Sequence, residues 1–528
     1  MTTIAEDLLR AVAYPEPMPA EVKLMETHLS WVFLTETEAF KVKKPVDFGF
    51  VDFRTLAARK RACDAEVTLN RRLAKDVYLG VVPVRRTADG SHTLRDEGPV
   101  VDYAVHMRRL ADATRGDELL AKGALTARSI GRVGDALAVF HGQSRCDAET
   151  KRFGSLPVIL ENVRENFEQT RAEIARYVSA AEAAELERSQ TDFLPAHGPL
   201  LEARVAAGRV RDGHGDLRLE HLYFEDRGLS VIDCIEFSDR FRFGDTCADV
   251  AFLAMDLAEH GRVDLAELLL ARYARAADDY DLYALVDFYE SYRAYVRAKI
   301  ATFLAKDPAA RDELRLRAEA DARRHFLLAL ASNRRSLLGP VVVAVGGVIA
   351  SGKSTVAEAI GSEMSAPVID ADRTRKHMLG IPDTTRVLDA SWQGAYDPHV
   401  TERVYDEVLR RAAVVVGSGR PVVLDASFRS RVMRTRAQLL ARELHVPFVL
   451  VECRAEREVC RSRLEERAKT ASVSDGRLAI FEDFWARFEP IAELPASEHL
   501  VLETTRPLPD NLELLRARIS SWPRGLEG

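Results

Sequence analysis

Hydrophobic and polar positions follow two different periods along the first 330 residues. Short stretches alternate with the period of a strand, and longer ones repeat with the period of a helix. The predicted elements are a β-hairpin (Trp31–Leu34 and Ala39–Lys43 around Thr35–Glu38), a helix (55–75), two strands (Tyr78–Val84 and Val100–Met107) and a strand-rich insert (209–237) in a mostly helical remainder. This order predicts a small β-rich lobe followed by a large helical lobe, an α+β two-lobed domain.

The pattern changes near residue 335. A helical stretch over Asp312–Leu330 is followed by helix-breaking residues within Ser332–Pro340 and then by the apolar strand Val341–Val345. Apolar strands and helices alternate from there on, as they do in doubly wound α/β domains. The sequence therefore predicts an α+β domain over residues 1–330, a linker over 331–339 and an α/β doubly wound domain over 340–528.

Composition and charge exclude several classes of protein. The 528 residues include 75 Lys and Arg against 82 Asp and Glu, a net charge of −7, which argues against a protein whose whole surface binds nucleic acid or an anionic membrane. No apolar run approaches the roughly 18 residues of a membrane span, and the N-terminus lacks a signal-peptide pattern. The six cysteines lie far apart, so no zinc site or disulfide framework is expected. We expect a cytoplasmic protein with mostly buried thiols.

A phosphate-binding motif opens the second domain. Gly347-Val-Ile-Ala-Ser-Gly-Lys-Ser354 matches GxxxxGK[ST] between a buried strand and a helical segment. Its glycines let the backbone wrap phosphate groups, while Lys353 is placed to reach the β- and γ-phosphates and act in catalysis, and Ser354 to ligate Mg²⁺. The residues expected to bind ATP here are Gly347, Ala350, Ser351, Gly352, Lys353, Ser354 and Thr355.

Carboxylates follow two later strands of this domain. The predicted strand Pro367–Asp372 ends in two of them, and we interpret Asp372 as the base that orients an acceptor hydroxyl, with a helix N-cap as the alternative. The strand within Arg420–Ser427 ends its apolar run at Asp425, where a carboxylate would hold Mg²⁺ through water or position substrate.

Arginines on a later helix are candidates for closing over the transferred phosphate. Arg461, Arg463 and Arg467 lie within the predicted helix Glu456–Lys469. Four glutamates alternate with them, so a solvated and salt-paired helix face remains the alternative.

The first domain carries a second set of phosphoryl-transfer residues. His214-Gly-Asp216 is followed 17 residues later by Asp233, which ends a short apolar strand. Asp216 is placed to accept or orient a substrate proton, and Asp233 to hold Mg²⁺ beside ATP. Upstream, Lys41 and Lys43 share one face of a strand, and the following helix carries Glu66, which could anchor either lysine at the ATP phosphates; we favour Lys41. The lysine not used would be a solvent-facing residue of a strand edge.

Both halves resemble known kinases. Residues 340–528 resemble P-loop small-molecule kinases related to gluconate kinase, zeta toxin and phage polynucleotide kinase, which implies an acceptor role for Asp372 and phosphate contacts for Arg463 and Arg467. The first half is similar to the aminoglycoside phosphotransferase-like kinase family, and the whole chain to bacterial proteins that fuse the two. The motifs of the first half are Phe40–Phe50, His214–Leu217, Ile232–Phe237 and Gly244–Phe252, where Asp249 is expected to buttress the catalytic loop. The resemblance implies a two-lobed kinase-like fold followed by a P-loop NTPase fold.

Two features depart from the kinase pattern. The position five residues after the catalytic Asp usually carries a metal-binding Asn, and here it is His221, which could coordinate or hydrogen-bond but suits Mg²⁺ less well than an amide oxygen. Thr27–Trp31 precedes the hairpin without a glycine-rich loop. The first site could therefore hold one metal ion only, turn over slowly or serve as a regulatory nucleotide or ligand sensor.

The function expected from the sequence is ATP- and Mg²⁺-dependent phosphoryl transfer to a hydroxyl of a small, sugar-like or aminoglycoside-like acceptor, at both sites. One alternative is that one domain only binds nucleotide or ligand and regulates the other. Another is 5′-hydroxyl phosphorylation of nucleic acid by the P-loop domain, and the net charge argues against it. The basic residues that favour this last alternative are Arg373, Arg375, Lys376, Arg429, Arg431, Arg434 and Arg436. No membrane partner is expected, and the sequence leaves the oligomeric state unknown.

Overall fold

The computed structural model describes residues 3–47, 49, 51–308, 310–332, 339–469 and 473–519. The chain forms two compact units, the first made of Met1–Ala172 and Glu187–Asp256, the second of Glu173–Leu186 and Leu257–Gly528. Residues 333–338 of the predicted linker, and residues 48 and 50 of the motif Phe40–Phe50, lie outside the described residues.

The first unit is built on an antiparallel sheet. Its strands are β1 (Lys23–Glu26), β2 (Ser30–Leu34), β3 (Glu38–Lys43), β4 (Tyr78–Arg86), β5 (His92–Thr93) and β6 (Val100–Arg108), in the order β1-β2-β3-β6-β4-β5. The predicted hairpin is β2–β3, and Thr35 closes its turn by bonding both backbone groups of Glu38. β3 lies between β2 and β6, and four of its six residues are buried.

Helices and two short strand pairs complete the first unit. The helices are α1 (Ile4–Asp7), α2 (Leu56–Asn70), α3 (Gly116–Ala121), α4 (Ala127–Gln143), α5 (Ala148–Lys151), α6 (Leu156–Thr170), α7 (Ala180–Ala196), α8 (Gly198–Ala206), α9 (Asp239–Arg242) and α10 (Thr246–Glu259), with the unit boundaries falling inside α7 and α10. The strand pairs are β7 (Val210–Asp212) with β10 (Phe243–Asp245), and β8 (Leu222–Glu225) with β9 (Gly228–Val231). The strands β7, β8 and β9 lie in the predicted strand-rich insert (209–237), and β10 follows it. The two pairs hold the loops that carry Asp216 and Asp233.

The second unit joins long helices to a parallel sheet. The strands β11 (Val342–Gly347), β12 (Val368–Asp370), β13 (Val422–Asp425), β14 (Phe448–Arg454) and β15 (His499–Glu503) follow the order β12-β13-β11-β14-β15. The helices are α11 (Val263–Ala276), α12 (Val286–Lys306), α13 (Asp312–Ser332), α14 (Lys353–Met364), α15 (Ala371–Met378), α16 (Pro398–Gly417), α17 (Arg431–Glu443), α18 (Arg457–Arg467), α19 (Leu478–Ala486) and α20 (Leu508–Arg518). Valines of β11, β13 and β14 form the core with α14. The predicted α/β class is confirmed.

The strand predicted over Pro367–Asp372 ends two residues earlier. Asp372 does not end a strand: β12 stops at Asp370, whose side chain accepts the N–H of Arg373 at 2.7 Å and caps α15. The N-cap weighed for Asp372 is therefore Asp370, because the carboxylate two residues earlier reaches the first free N–H groups of the helix. Asp372 lies in the first helical turn.

The remaining sequence expectations concern cysteines and membrane spans. Five of the six cysteines are buried and Cys146 is partly exposed, all as free thiols. No helix within the described ranges combines the length and the apolar character that a membrane span needs.

Candidate active sites

The loop between β7 and β8 carries Asp216, and a buried carboxylate fixes its backbone. Asp249, in the first turn of α10, accepts the N–H groups of His214 at 2.6 Å and Gly215 at 2.9 Å. Gly213 makes room for this carboxylate, since a Cβ there would lie 2.3 Å from Asp249 Oδ2. Asp249 therefore buttresses the loop, as the sequence predicts.

The Asp216 side chain is partly exposed and paired with an arginine from the same loop. It is 26% exposed, and Nε and Nη2 of Arg218 each lie 3.1 Å from one of its oxygens. A carboxylate held on a fixed loop can accept or orient the proton of a substrate hydroxyl. Sequence reasoning missed Arg218, because an arginine two residues after an aspartate carries no signal by itself.

His214 connects the Asp216 loop to the backbone of Ile232, and its ring is neutral. Its Nε2–H donates to the carbonyl of Ile232 at 2.9 Å, and its Nδ1 accepts the N–H of Asp216 at 3.3 Å. Only the neutral ring with the proton on Nε2 makes both bonds. Burial lowers the pKa of His214 to about 4, in agreement with that tautomer.

Asp233 projects from a strained backbone position toward a lysine. Its φ is +64°, in the left-handed region, and its N–H donates to the Tyr78 hydroxyl at 3.2 Å. Lys41 Nζ lies 2.6 Å from Asp233 Oδ1. Burial raises the pKa of Asp233, but the charges of Lys41, His221 and Lys43 and the hydrogen bond from Lys41 together outweigh burial and hold the pKa far below its usual range. Asp233 is thus an anion over the physiological pH range.

Two lysines of β3 share one buried glutamate of α2. Glu66 Oε1 lies 2.9 Å from Lys41 Nζ, and Glu66 Oε2 lies 2.5 Å from Lys43 Nζ. Burial raises the pKa of Glu66, but the two ammonium groups lower it further than burial raises it. Lys43 also pairs with Glu236 and is 1% exposed, so it is an interior residue and not a solvent-facing one. Lys41 is the lysine that reaches Asp233.

Glu236 lies next to the site. It is part of a motif identified from the sequence, but it was not predicted to be a site residue. It lies three residues after Asp233 in the motif Ile232–Phe237 and compensates the second ammonium group of β3. The sequence did indicate that a second carboxylate was needed. Two lysines share one strand face, and the single charge of Glu66 cannot neutralise both.

His221 lies between the two aspartates. Its Nδ1–H donates to the carbonyl of Asp216 at 2.7 Å, while Nε2 lies 3.7 Å from Asp233 Oδ2. A histidine that ligates a metal commonly donates its other ring N–H to a backbone carbonyl, which leaves the opposite nitrogen lone pair for the metal. Here Nη2 of Arg218 lies 3.5 Å from that nitrogen, so a metal ion would replace this contact. The residues here therefore fit a divalent cation held by Asp233 and His221.

The P-loop of the second unit brings the predicted phosphate-binding residues together. Between β11 and α14 the backbone turns through left-handed positions at Ala350 (φ +61°) and Gly352 (φ +91°). Gly347 approaches β14 so closely that a Cβ would lie 2.4 Å from the Cys453 carbonyl oxygen. Lys353 begins α14, and its Nζ donates to the carbonyl of Val348 at 2.8 Å. Backbone N–H groups of such a loop and helix start are a phosphate-binding site.

Three carboxylates lie at the carboxyl end of the parallel sheet. Asp370 and Asp425 are directly paired in register on β12 and β13. Burial and the mutual charge raise the pKa of Asp370 to about 7, and burial also raises that of Asp425. Burial followed by the charge of Asp370 raises the pKa of Asp372 to about 6. Asp372 thus has the proton affinity of a base that works near neutral pH.

The same end of the sheet fits a divalent cation. The Ser354 hydroxyl donates to the Asp425 carboxylate, which lowers its pKa and joins the two predicted ligands. Two adjacent buried carboxylates and a hydroxyl form the oxygen donor set that Mg²⁺ prefers. Asp370 was missed as a member of this set, although parallel strands that end in Asp place their carboxylates side by side.

Arg463 braces the P-loop, and Arg467 lies further along the same helix. Arg463 donates to the Ala350 carbonyl at 3.3 Å and to both oxygens of Thr504, at 3.0 Å and 2.9 Å. Arg467 donates to the Ser474 hydroxyl at 3.4 Å. A cavity of about 410 Å³ lies beside these residues and the P-loop. Its lining includes Gly352, Thr355, Arg463, Arg467, Thr504 and Asn511.

The basic residues that favoured a nucleic-acid substrate are not one exposed surface. Arg375, Lys376 and Arg434 are buried. Arg434 pairs with Glu493, Arg373 with Asp383, and Arg436 with Asp406. Five of the seven residues, all but Arg429 and Arg431, are thus buried or paired with a carboxylate.

Two family matches coincide with the two sites. Residues 48–289 match the Phosphotransferase enzyme family, and residues 342–491 match a family described as AAA domain. The first range contains Asp216, His221 and Asp233 but begins after Lys41, and the second contains the P-loop and its carboxylates.

Relatives of nearly the same length share both domains. Uncharacterized proteins of Mycobacterium tuberculosis (strain ATCC 25618 / H37Rv) and Mycobacterium bovis (strain ATCC BAA-935 / AF2122/97) are each 32% identical to the chain over 472 residues. The alignment covers 88% of this chain and 90% of each relative.

Solved structures resemble each half separately. A choline/ethanolamine kinase family protein from Mesorhizobium loti is 12% identical, with a TM-score of 0.35, over 62% of this chain and 100% of that protein. A gluconokinase from Sinorhizobium meliloti 1021 is 22% identical, with a TM-score of 0.25, over 35% of this chain and 95% of that protein.

Proposed function

The chain belongs to the same two-domain family as these mycobacterial proteins, and from that premise we propose that it is an ATP-dependent phosphotransferase with two active sites. Each site transfers the γ-phosphate of ATP to a hydroxyl of a small acceptor, sugar-like or aminoglycoside-like. The observation that carries the proposal is the placement of His221 between Asp216 and Asp233, with Lys41 on the far side of Asp233.

At the first site, each group has a separate task. Asp216 orients the acceptor hydroxyl and receives its proton, and Asp249 keeps that carboxylate in place through the loop backbone. Lys41, held by Glu66, presents its ammonium to the ATP phosphates. Asp233 and His221 would hold Mg²⁺, which neutralises phosphate charge when bound.

At the second site, the P-loop backbone and Lys353 bind the phosphates, and Ser354 and Asp425 would hold Mg²⁺. Asp372 accepts the proton of the acceptor hydroxyl, a task that suits a carboxyl with a pKa of about 6. The cavity beside Arg463 and Thr504 has the place and volume for the nucleoside part of ATP.

Two features of the first site favour a second candidate function. Arg218 covers Asp216, and a histidine replaces the usual amide ligand, so the first domain could bind nucleotide without turnover and regulate the second. Both candidates take a small molecule as partner. For either one we propose a cytoplasmic protein, because all six cysteines are free thiols, as is usual in a reducing compartment.

The test follows γ-labelled ATP with Mg²⁺ and a fractionated metabolite extract, using the full chain. Asp216→Asn inactivates the first site and Lys353→Ala the second, so each variant should remove a different labelled product by about 100-fold or more. The matched controls are Asp226→Asn, exposed on the β8–β9 turn, and Lys469→Ala, exposed after α18.

The outcomes separate the two candidates. Loss of one product in each variant supports two kinase sites. If Asp216→Asn changes no product while Lys353→Ala removes all of them, the first domain is regulatory. If neither variant differs from its control, the proposed phosphotransferase is wrong.

A further inference from the structure

Three arginines lie over two aromatic rings near the proposed base of the second site: two over Trp392 and one over Tyr396. The guanidinium carbons of Arg429 and Arg487 lie 4.0 Å and 4.3 Å from the ring centroid of Trp392. Arg375 lies over the ring of Tyr396 at 4.5 Å. Cation–π contacts hold guanidinium groups in place but do not neutralise their charge.

Two of these guanidinium groups have buried donors without an acceptor. Nη1 of Arg429 and Nε of Arg375 are shielded from solvent and have no hydrogen-bond partner in the part of the chain that the structure describes. Buried donors left without partners cost free energy, so a native site that keeps them calls for an explanation.

The charges of this cluster act on one another. Burial lowers the pKa of Arg429, and the positive charges of Arg487 and Arg375 lower it further, against the opposing charges of Tyr405 and Glu489. Glu489 uses one carboxylate oxygen, Oε2, to accept the N–H of Arg431 at 2.6 Å. The cluster is therefore an incompletely neutralised group of cations, the arrangement that binds an oxyanion.

The cluster also adjoins the reacting end of the site. Arg375 lies one helical turn after Asp372 on α15, and its positive charge lowers the pKa of Asp372. Lys353 and the P-loop supply a separate phosphate-binding site for ATP. A second anionic group would thus lie on the acceptor side.

We propose that the acceptor of the P-loop site carries an oxyanion, a phosphate or a carboxylate, and that Arg429, Arg487 and Arg375 bind it while Asp372 faces the hydroxyl. The inference rests on the proposed kinase function and narrows its substrate class to acidic hydroxyl compounds.

The first measurement uses inorganic phosphate as the probe. The full chain is saturated with a non-hydrolysable ATP analogue, and phosphate is titrated by calorimetry into the wild type, Arg429→Gln, Arg487→Gln and the control Arg431→Gln. Arg431 is exposed and close in sequence, and Arg487 is itself exposed, so its variant keeps the fold even if Arg429→Gln does not. We expect phosphate affinity to fall about 10-fold or more in both test variants and to be unchanged in the control.

The second measurement offers three acceptors in one labelled-ATP assay: a neutral polyol, its carboxylate and its phosphate monoester. Transfer that requires Lys353 and prefers the anionic forms supports both proposals. Arginine-dependent phosphate binding without transfer to any acceptor supports the anion site and overturns the kinase assignment. Equal phosphate affinity in all four proteins, or transfer to the neutral polyol alone, overturns the anion site and leaves the kinase assignment standing.

Discussion

Lys41 and Lys43 lie two residues apart on β3 and bind the two oxygens of one carboxylate, that of Glu66, at 2.9 Å and 2.5 Å. Their other partners differ. Lys41 reaches Asp233, which is 43% exposed, whereas Lys43 pairs with Glu236, which is 5% exposed. The same strand face therefore carries one lysine at the edge of the site and one inside the fold.

Replacing the two lysines should give two different phenotypes. Lys41→Met should keep the fold and lower phosphoryl transfer at the first site by about 100-fold, because it removes the phosphate-facing ammonium. Lys43→Met should destabilise the unit by roughly 3–5 kcal/mol, since two buried carboxylates lose their shared counter-charge. Thermal unfolding and labelled-ATP assays of both variants separate the effects, and equal loss of stability in both would contradict the assignment.

Exchanging His221 should change the metal preference of the first site. His221→Asn supplies an amide oxygen in place of a ring nitrogen, so activity with Mg²⁺ should rise relative to activity with Mn²⁺ or Co²⁺. The measurement is the ratio of first-site rates with each cation in Lys353→Ala chains, with and without the exchange. An unchanged ratio would show that His221 only positions the Asp216 loop through its 2.7 Å bond.

Arg463 should control nucleotide affinity more than the rate of transfer. Its contacts with the Ala350 carbonyl and Thr504 hold the P-loop against the segment after β15. Arg463→Lys cannot make all three bonds, so ATP binding at the second site should weaken about 10-fold, whereas Arg461→Gln, on the exposed face beside Glu482, should not. Fluorescent-nucleotide titration measures this, and a fall in kcat with unchanged affinity would place Arg463 on the transferring phosphate instead.

Sequence reasoning went furthest where function depends on local order. The hairpin, the P-loop and the Asp216 loop follow from motifs and spacing over short stretches of sequence, whereas the support of that loop by Asp249 followed from the family resemblance. It could not predict ion pairs between residues that lie far apart in the sequence. Arg420, before β13, is buried and bonds Glu267 of α11 and Asp287 of α12, each at 2.7 Å. Both acids lie in the range that matches the Phosphotransferase enzyme family, yet they belong to the compact unit of the P-loop.

This distant pairing predicts that helix α11 stabilises the P-loop unit. Glu267→Gln should lower the free energy of unfolding by roughly 3 kcal/mol, because Arg420 stays buried with one partner fewer. Glu402→Gln, exposed on α16, is the control. The difference is measured by thermal unfolding in the presence of an ATP analogue. The analogue raises the Tm of the P-loop unit and so identifies its transition. Equal transitions in the two variants would show that the Glu267 ion pair adds no stability to this unit.

The tautomer of His214 gives the first unit a specific dependence on pH. The pKa is about 4 in the folded chain and 6.5 in its unfolded reference, so the unfolded state takes up the proton first as the pH falls. The stability from His214 is therefore complete above pH 6.5 and is lost between pH 6.5 and 4, amounting to about 2 kcal/mol by pH 5. His214→Gln cannot be protonated, so between pH 7 and 5 its Tm should fall less than that of the wild type, by on the order of 5 °C. His28→Gln, at an exposed position, should keep the wild-type dependence, and an identical fall in all three proteins would mean that folding does not lower the pKa of His214.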